Sequence, residues 1–202
     1  MSPFDEPTRR LVRLSAVITA GTEVAVREAL AADVDVIPAE WVEELILQTY
    51  LFAGFPRALN AMREWRRLRP AAPAESVTGA GDVDEWRQAG TVTCHEVYGS
   101  MYEKLRENIR ALHPLLDEWM IVEGYGKVLG RPGLDLPRRE LCIVAACAAT
   151  GQDRQLHSHL HGALNVGVPT DELREALDVL APLLDDSRAS SARLLLARVV
   201  GK

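Results

Sequence analysis

The densest chemistry in this 202-residue sequence lies between Arg138 and His161, which gathers carboxylates, arginines and histidines. Glu140 and His159 form the pair with the clearest use. A carboxylate beside an imidazole fixes the ring tautomer and raises its basicity, which makes a general base. A blander reading stands beside it: Glu140 favours its helix N-terminus, and His159 is a satisfied core histidine. His157 and His161 are four apart and share a helix face. Two such residues can ligate a metal, but a stable site needs further ligands at set geometry. The acid that accompanies such a pair in metalloprotease helices is absent. No metal is expected, and these two are expected to line a cleft or an interface. Cys94, Cys142 and Cys147 lack C-x-x-C spacing, and their odd number gives no disulfide framework.

The elements that must position these residues read as helices. Hydrophobic residues make up 48% and aromatics only 5%, so Ala, Leu and Val fill the core, and such residues suit helices. The apolar run ending at Gly151 predicts a helix over about 137–150, buried on every side. Another follows over 153–165, and two more start near Thr170 and Ser187. Upstream, a long helix is expected over about 84–123 with a kink at Pro114, then a loop through GYGKVLGRPGLDLP. The first part of the chain reads as helices over about 8–20, 22–32 and 38–68, the last bent at Gly54-Phe55-Pro56.

Composition divides the chain into an N-terminal helical unit (8–69), a Pro/Ala/Gly-rich linker (70–84) and a C-terminal unit (85–202). The halves echo each other. RLVRLSAVITAG aligns on ELCIVAACAATG, so Arg10 falls on Glu140 and Gly21 on Gly151. AVREAL then matches HLHGAL, with Ala25 on His159, after a shorter connection. Glu44 falls on Glu175 further on. The expected fold is all-α: two related helical units packed as a pseudo-twofold pair.

RPGLDLPRRELCIVAACAATG followed by HLHGALNVGVPTDELREAL resembles the carboxymuconolactone decarboxylase family, within the wider alkylhydroperoxidase D-like superfamily. In the first half, EELILQTYLFAGFPRALNA resembles the family's closing helix. Thiol peroxidase members of the superfamily carry E-x11-C-x-x-C-x-x-x-H. Counted from Glu140, the cysteine positions are Gln152 and Gln155 and the histidine is His159. Amides cannot supply a thiolate pair, so the resemblance points to the cysteine-free decarboxylase branch, lyases of aromatic catabolism that act on a γ-lactone carboxylic acid.

That chemistry needs an anion holder, stabilisation of developing charge and a placed proton. The resemblance implies His159 and Glu140 as catalytic residues. Gln155, Arg131, Arg138, Arg139, Tyr50 and His157 are the candidates to contact substrate, and Tyr50–Pro56 closes the site from the first unit. No cofactor is implied. The partner is a small anionic metabolite, with a homo-oligomer, a trimer favoured, as the assembly. A net charge of −6 argues against nucleic acid, which needs a basic surface. No apolar stretch is long enough to span a bilayer, and MSPFDEPTRR lacks a secretory signal's apolar core, so the expected location is the cytoplasm. Two other readings remain open: a non-enzymatic scaffold or small-ligand binding protein, and a thiol peroxidase.

Overall fold

The computed structural model describes residues 4–70 and 81–201. Among the described residues the secondary structure is helical, with no strand. Two compact units emerge, one formed by Met1–Ala72 with Gly133–Lys202 and the other by Pro73–Pro132. The first is discontinuous in sequence, a division that the linear order of unit, linker and unit does not give. The reason is packing: the apolar helix after Asp135 buries itself against the N-terminal helices. Residues 71–80 of the expected linker lie outside the described residues.

In the discontinuous unit, α1 (Glu6–Ala20), α2 (Glu23–Asp33) and α3 (Ala39–Leu68) come from the N-terminal half. Helices α7 (Leu136–Thr150), α8 (Asp153–Asn165), α9 (Thr170–Leu180) and α10 (Asp186–Val200) come from the C-terminal half. Helix α7 lies at the centre, touching α1, α3, α8, α9 and α10. Its residues from Arg139 to Ala149 are all buried, as expected for a helix apolar nearly all round. Ser15 on α1 donates to the Cys142 carbonyl at 2.7 Å, which fixes α1 against α7.

The same devices recur in both halves of this unit. Asp5 and Asp135 cap α1 and α7 by accepting from the Thr8 and Arg138 amides, and each is followed two residues later by Pro. Arg57 donates to the carbonyls of Ile18 and Gly21 at the end of α1, and Arg188 to that of Ala149 at the end of α7. Asn60 donates to Glu23, and Ser191 to Asp153. Arg9 pairs with Glu175, and Arg139 with Glu44. In the register these contacts set, the two connections after α1 and α7 are equally long. Ala29, rather than Ala25, then stands where His159 does.

The second unit differs from one long kinked helix. It contains α4 (Val83–Tyr98), α5 (Tyr102–Leu112) and α6 (Pro114–Trp119). Gly99 breaks the path at φ 52° and ψ −127°, and His113 does so in an extended conformation before Pro114. The segment Met120–Leu129, expected as the end of that long helix and the start of a loop, is a π-type helix packed on α4. Gly90 and Gly126 permit that packing, because a Cβ at either would run into the facing backbone. Asp117 is buried and held by Arg106 and Arg110 of α5, which clamps α5 to α6. No helix is long and apolar enough to cross a membrane among the described residues.

Candidate functional site

Helices α7 and α8 bring Glu140 and His159 together. Helix α7 ends at Gly151, whose left-handed conformation (φ 69°) turns the chain sharply. The Gln152 amide closes that turn by donating to the Cys147 carbonyl at 2.9 Å. Helix α8 then runs back along α7. His159 Nδ1 lies 2.9 Å from Glu140 Oε2. Glu140 has no exposed surface, and His159 is 6% exposed. A carboxylate can only accept, so Nδ1 carries the hydrogen of this contact.

The other oxygen of the acid, Glu140 Oε1, is buried and has no hydrogen-bond partner among the described residues. A buried carboxylate oxygen without a donor costs about 1–3 kcal/mol or more, and such a cost is typical of sites that meet a ligand or water. Cys147 feels the same acid. Burial first, and then the Glu140 charge, push its thiol up to about 12. Cys142 is likewise pushed up to about 12, mainly by burial. All three cysteines are buried and outside any disulfide, and neither Cys142 nor Cys147 is a thiolate near neutrality.

Helix α3 supplies the wall opposite. It breaks at Gly54 (φ 78°, ψ 163°), a conformation that only glycine adopts without strain. Before the break, Phe52 meets the His159 ring edge to face, with centroids 6.1 Å apart. Tyr50 stacks instead on Phe55, 4.7 Å away and nearly parallel. Sequence reasoning named the Tyr50–Pro56 segment but singled out Tyr50 and missed Phe52. The usable signal was the position of Phe52 just ahead of the Gly-Phe-Pro bend.

The other candidates are placed as follows. Gln155 is exposed, one helical turn before His159 on α8. His157 and His161 stack on each other edge to face, 4.9 Å apart and partly buried. No group of three or more His, Cys, Asp or Glu is placed to hold a metal among the described residues. Arg139 is fully buried. Its guanidinium donates to Glu44 at 2.8 Å, to Gln48 at 3.3 Å and to the Leu134 carbonyl at 3.1 Å. Arg138 lies over the Trp41 ring at 4.2 Å and donates to Thr8. Both arginines therefore tie α7 to α1 and α3. Arg131 belongs to the second unit.

Residues 118–198 match the model of the Carboxymuconolactone decarboxylase family. The 4-carboxymuconolactone decarboxylase of Acinetobacter baylyi is 31% identical over 53% of this chain and 80% of its own length. The chain belongs to the carboxymuconolactone decarboxylase family. "Peroxisomal protein 2" of Schizosaccharomyces pombe is 27% identical over 68% of this chain and 66% of its own length. The protein of that name in Saccharomyces cerevisiae is 26% identical over 70% and 59% respectively. The chain thus spans about two thirds or less of these two relatives. The family match begins near the end of α6 and contains both Glu140 and His159.

Proposed function

We propose that this protein is a decarboxylase-like enzyme in which Glu140 and His159 transfer a proton to or from a small carboxylated lactone or related anionic metabolite. The observation that carries the reading is the buried 2.9 Å contact between the two side chains, with Glu140 Oε1 left without a donor. In such a reaction the bond to the carboxyl carbon breaks and its electron pair enters the lactone's conjugated system as a dienolate. A proton then passes from His159 Nε2 to carbon. Glu140 holds the ring in the orientation required and stabilises the imidazolium form that donates. Phe52 shields the ring from water, and a low local dielectric strengthens the pair. Gln155, on the same face one turn away, donates to the developing oxyanion. Arg138 and Arg139 are engaged in packing, so the substrate carboxylate is held by other donors.

The repeated caps and the pairs Arg9–Glu175 and Arg139–Glu44 support a pseudo-twofold arrangement in this reading. Only the C-terminal half keeps the acid and histidine, and the α3 bend of the other half covers them. A second reading, a non-catalytic helical scaffold or ligand-binding protein, is favoured by the two relatives whose name gives no activity. That name also sets the peroxisome beside the cytoplasm as a location for this chain.

The two readings separate on one experiment. The chain is incubated with 4-carboxymuconolactone and release of carbon dioxide is followed, with Glu140→Gln in parallel. Catalysed release that falls about 10²-fold or more in the variant supports the enzyme. Release no faster than without protein supports the scaffold.

A further inference from the structure

A groove of about 510 Å³ opens between α2 and the arm of α3 beyond Gly54, lined by residues other than Glu140 and His159. Its floor is apolar and buried: Ile18, Val26 and Ala61 are 1%, 7% and 1% exposed. Its walls carry Arg27, Arg57, Arg63 and Arg67 against only Glu23 and Glu64, an excess of positive charge on a chain whose net charge is −6. The two acids are already matched. Glu64 accepts from Arg27 at 3.1 Å and from Arg67 at 2.6 Å, and Glu23 accepts from Asn60 at 3.0 Å.

The remaining cations are the ones with donors to offer. Arg57 uses one nitrogen, Nη1, for both the Ile18 and Gly21 carbonyls. That bond fixes a partly buried guanidinium at the junction of α1 and α2. Among the described residues, Arg63 makes only a long contact, 3.5 Å, to Asn60. The α2 N-terminus, at Thr22 and Glu23, borders the same groove. The charge that lines the groove is particular to this half of the unit. In the register set by the repeated contacts, Arg188 matches Arg57, but His157, Leu194 and Leu195 stand where Arg27, Arg63 and Glu64 do. Arg57 thus has a shared structural task, whereas Arg27 and Arg63 have no counterpart that the scaffold requires.

We infer that this groove is a second ligand site, taking a small amphiphilic anion: a carboxylate or phosphate head against Arg57 and Arg63, with a short hydrocarbon body over Ile18, Val26 and Ala61. Guanidinium groups bind either head through paired charge-assisted hydrogen bonds, and the apolar floor gives affinity that a bare ion lacks.

Isothermal titration of the full chain tests this, with octanoate, octyl phosphate, octanol and inorganic phosphate as probes. At least one of the two amphiphilic anions should bind saturably with one-to-one stoichiometry, and whichever binds more tightly identifies the head. Octanol and inorganic phosphate should each bind at least about tenfold more weakly. Arg63→Gln, a change at an exposed position, should weaken binding by about tenfold. Asn60→Trp, which fills the groove from its rim, should abolish it. Glu140→Gln should leave it intact, which separates this site from the proposed catalytic pair. The inference is overturned if neither anion saturates at millimolar concentration, if octanol binds as well as octanoate, if Arg63→Gln and Asn60→Trp leave binding unchanged, or if Glu140→Gln removes it.

Discussion

Replacing Arg139 with Met tests whether this arginine is an architectural residue. The guanidinium is fully buried and bridges α7 to α3 through Glu44 and Gln48. Gln48 in return donates to the Arg139 carbonyl at 3.1 Å. Glu44 is itself 6% exposed, so truncating Arg139 takes the cation from a carboxylate that water reaches poorly. Breaking a buried pair from one side costs about 3–5 kcal/mol, a large part of the roughly 5–15 kcal/mol that holds a domain folded. The matching pair in the other half is an internal control. Arg9 and Glu175 keep 38% and 41% of their side-chain surface, and an exposed pair contributes about 0–1 kcal/mol. Urea unfolding at neutral pH, followed by circular dichroism, should therefore show a large loss for Arg139→Met and a small one for Arg9→Met. The double change Arg139→Met, Glu44→Leu should recover much of the loss, because no unpaired charge is left inside. The reasoning is refuted if Arg139→Met costs no more than Arg9→Met, or if the double variant is no more stable than the single one.

Three further outcomes follow. The Arg106 guanidinium, with Arg110 beside it, outweighs burial and holds the Asp117 carboxyl below the ordinary value. Its folded pKa lies below the unfolded one, so its contribution is full above about pH 4–5 and is lost as pH falls towards the folded value. Hydrogen exchange of residues around α5 and α6 should accelerate over that window, and Asp117→Asn should flatten the dependence while lowering stability by about 1–3 kcal/mol at neutral pH. Cysteine labelling at pH 8 should be negligible in the native chain and complete only after unfolding; rapid native labelling of Cys142 or Cys147 would contradict their raised pKa and burial. Light scattering at micromolar concentration should give a trimer mass, whereas a strictly monomeric mass would remove the oligomer proposal.

The sequence carried the helices of the discontinuous unit well because their punctuation is local. The glycine ends at Gly21 and Gly151 and the bend at Gly54 are all visible in a few residues. The second unit was less legible. A continuous four-and-three spacing from Tyr98 to Leu116 hid the breaks at Gly99 and His113, and the glycines of GYGKVLG suggested a loop. There Gly126 serves instead to let two helices approach closely. The domain division was hidden for a different reason: composition marks where a chain is irregular but not which segments share a core. At the site, the Glu140–His159 spacing could be read from the helix period and the Gly151 turn. The burial of Arg139 could not, because an arginine beside a motif looks the same whether it faces a ligand or a glutamate ninety-five residues away. The offset of four residues in aligning α2 with α8 arose from matching Ala-Leu pairs. The hydrogen bonds that follow each helix turn fix the register instead.

The most direct test of the central claim compares His159→Ala with His157→Ala in turnover of 4-carboxymuconolactone. The two histidines share α8, but only His159 reaches Glu140, whereas His157 stacks on His161. Loss of a placed acid–base group lowers rate by about 10²–10⁴-fold, so His159→Ala should fall in that range while His157→Ala stays within about tenfold of the unaltered chain. Absence of turnover in the unaltered chain, or turnover that His159→Ala leaves intact, would contradict the account.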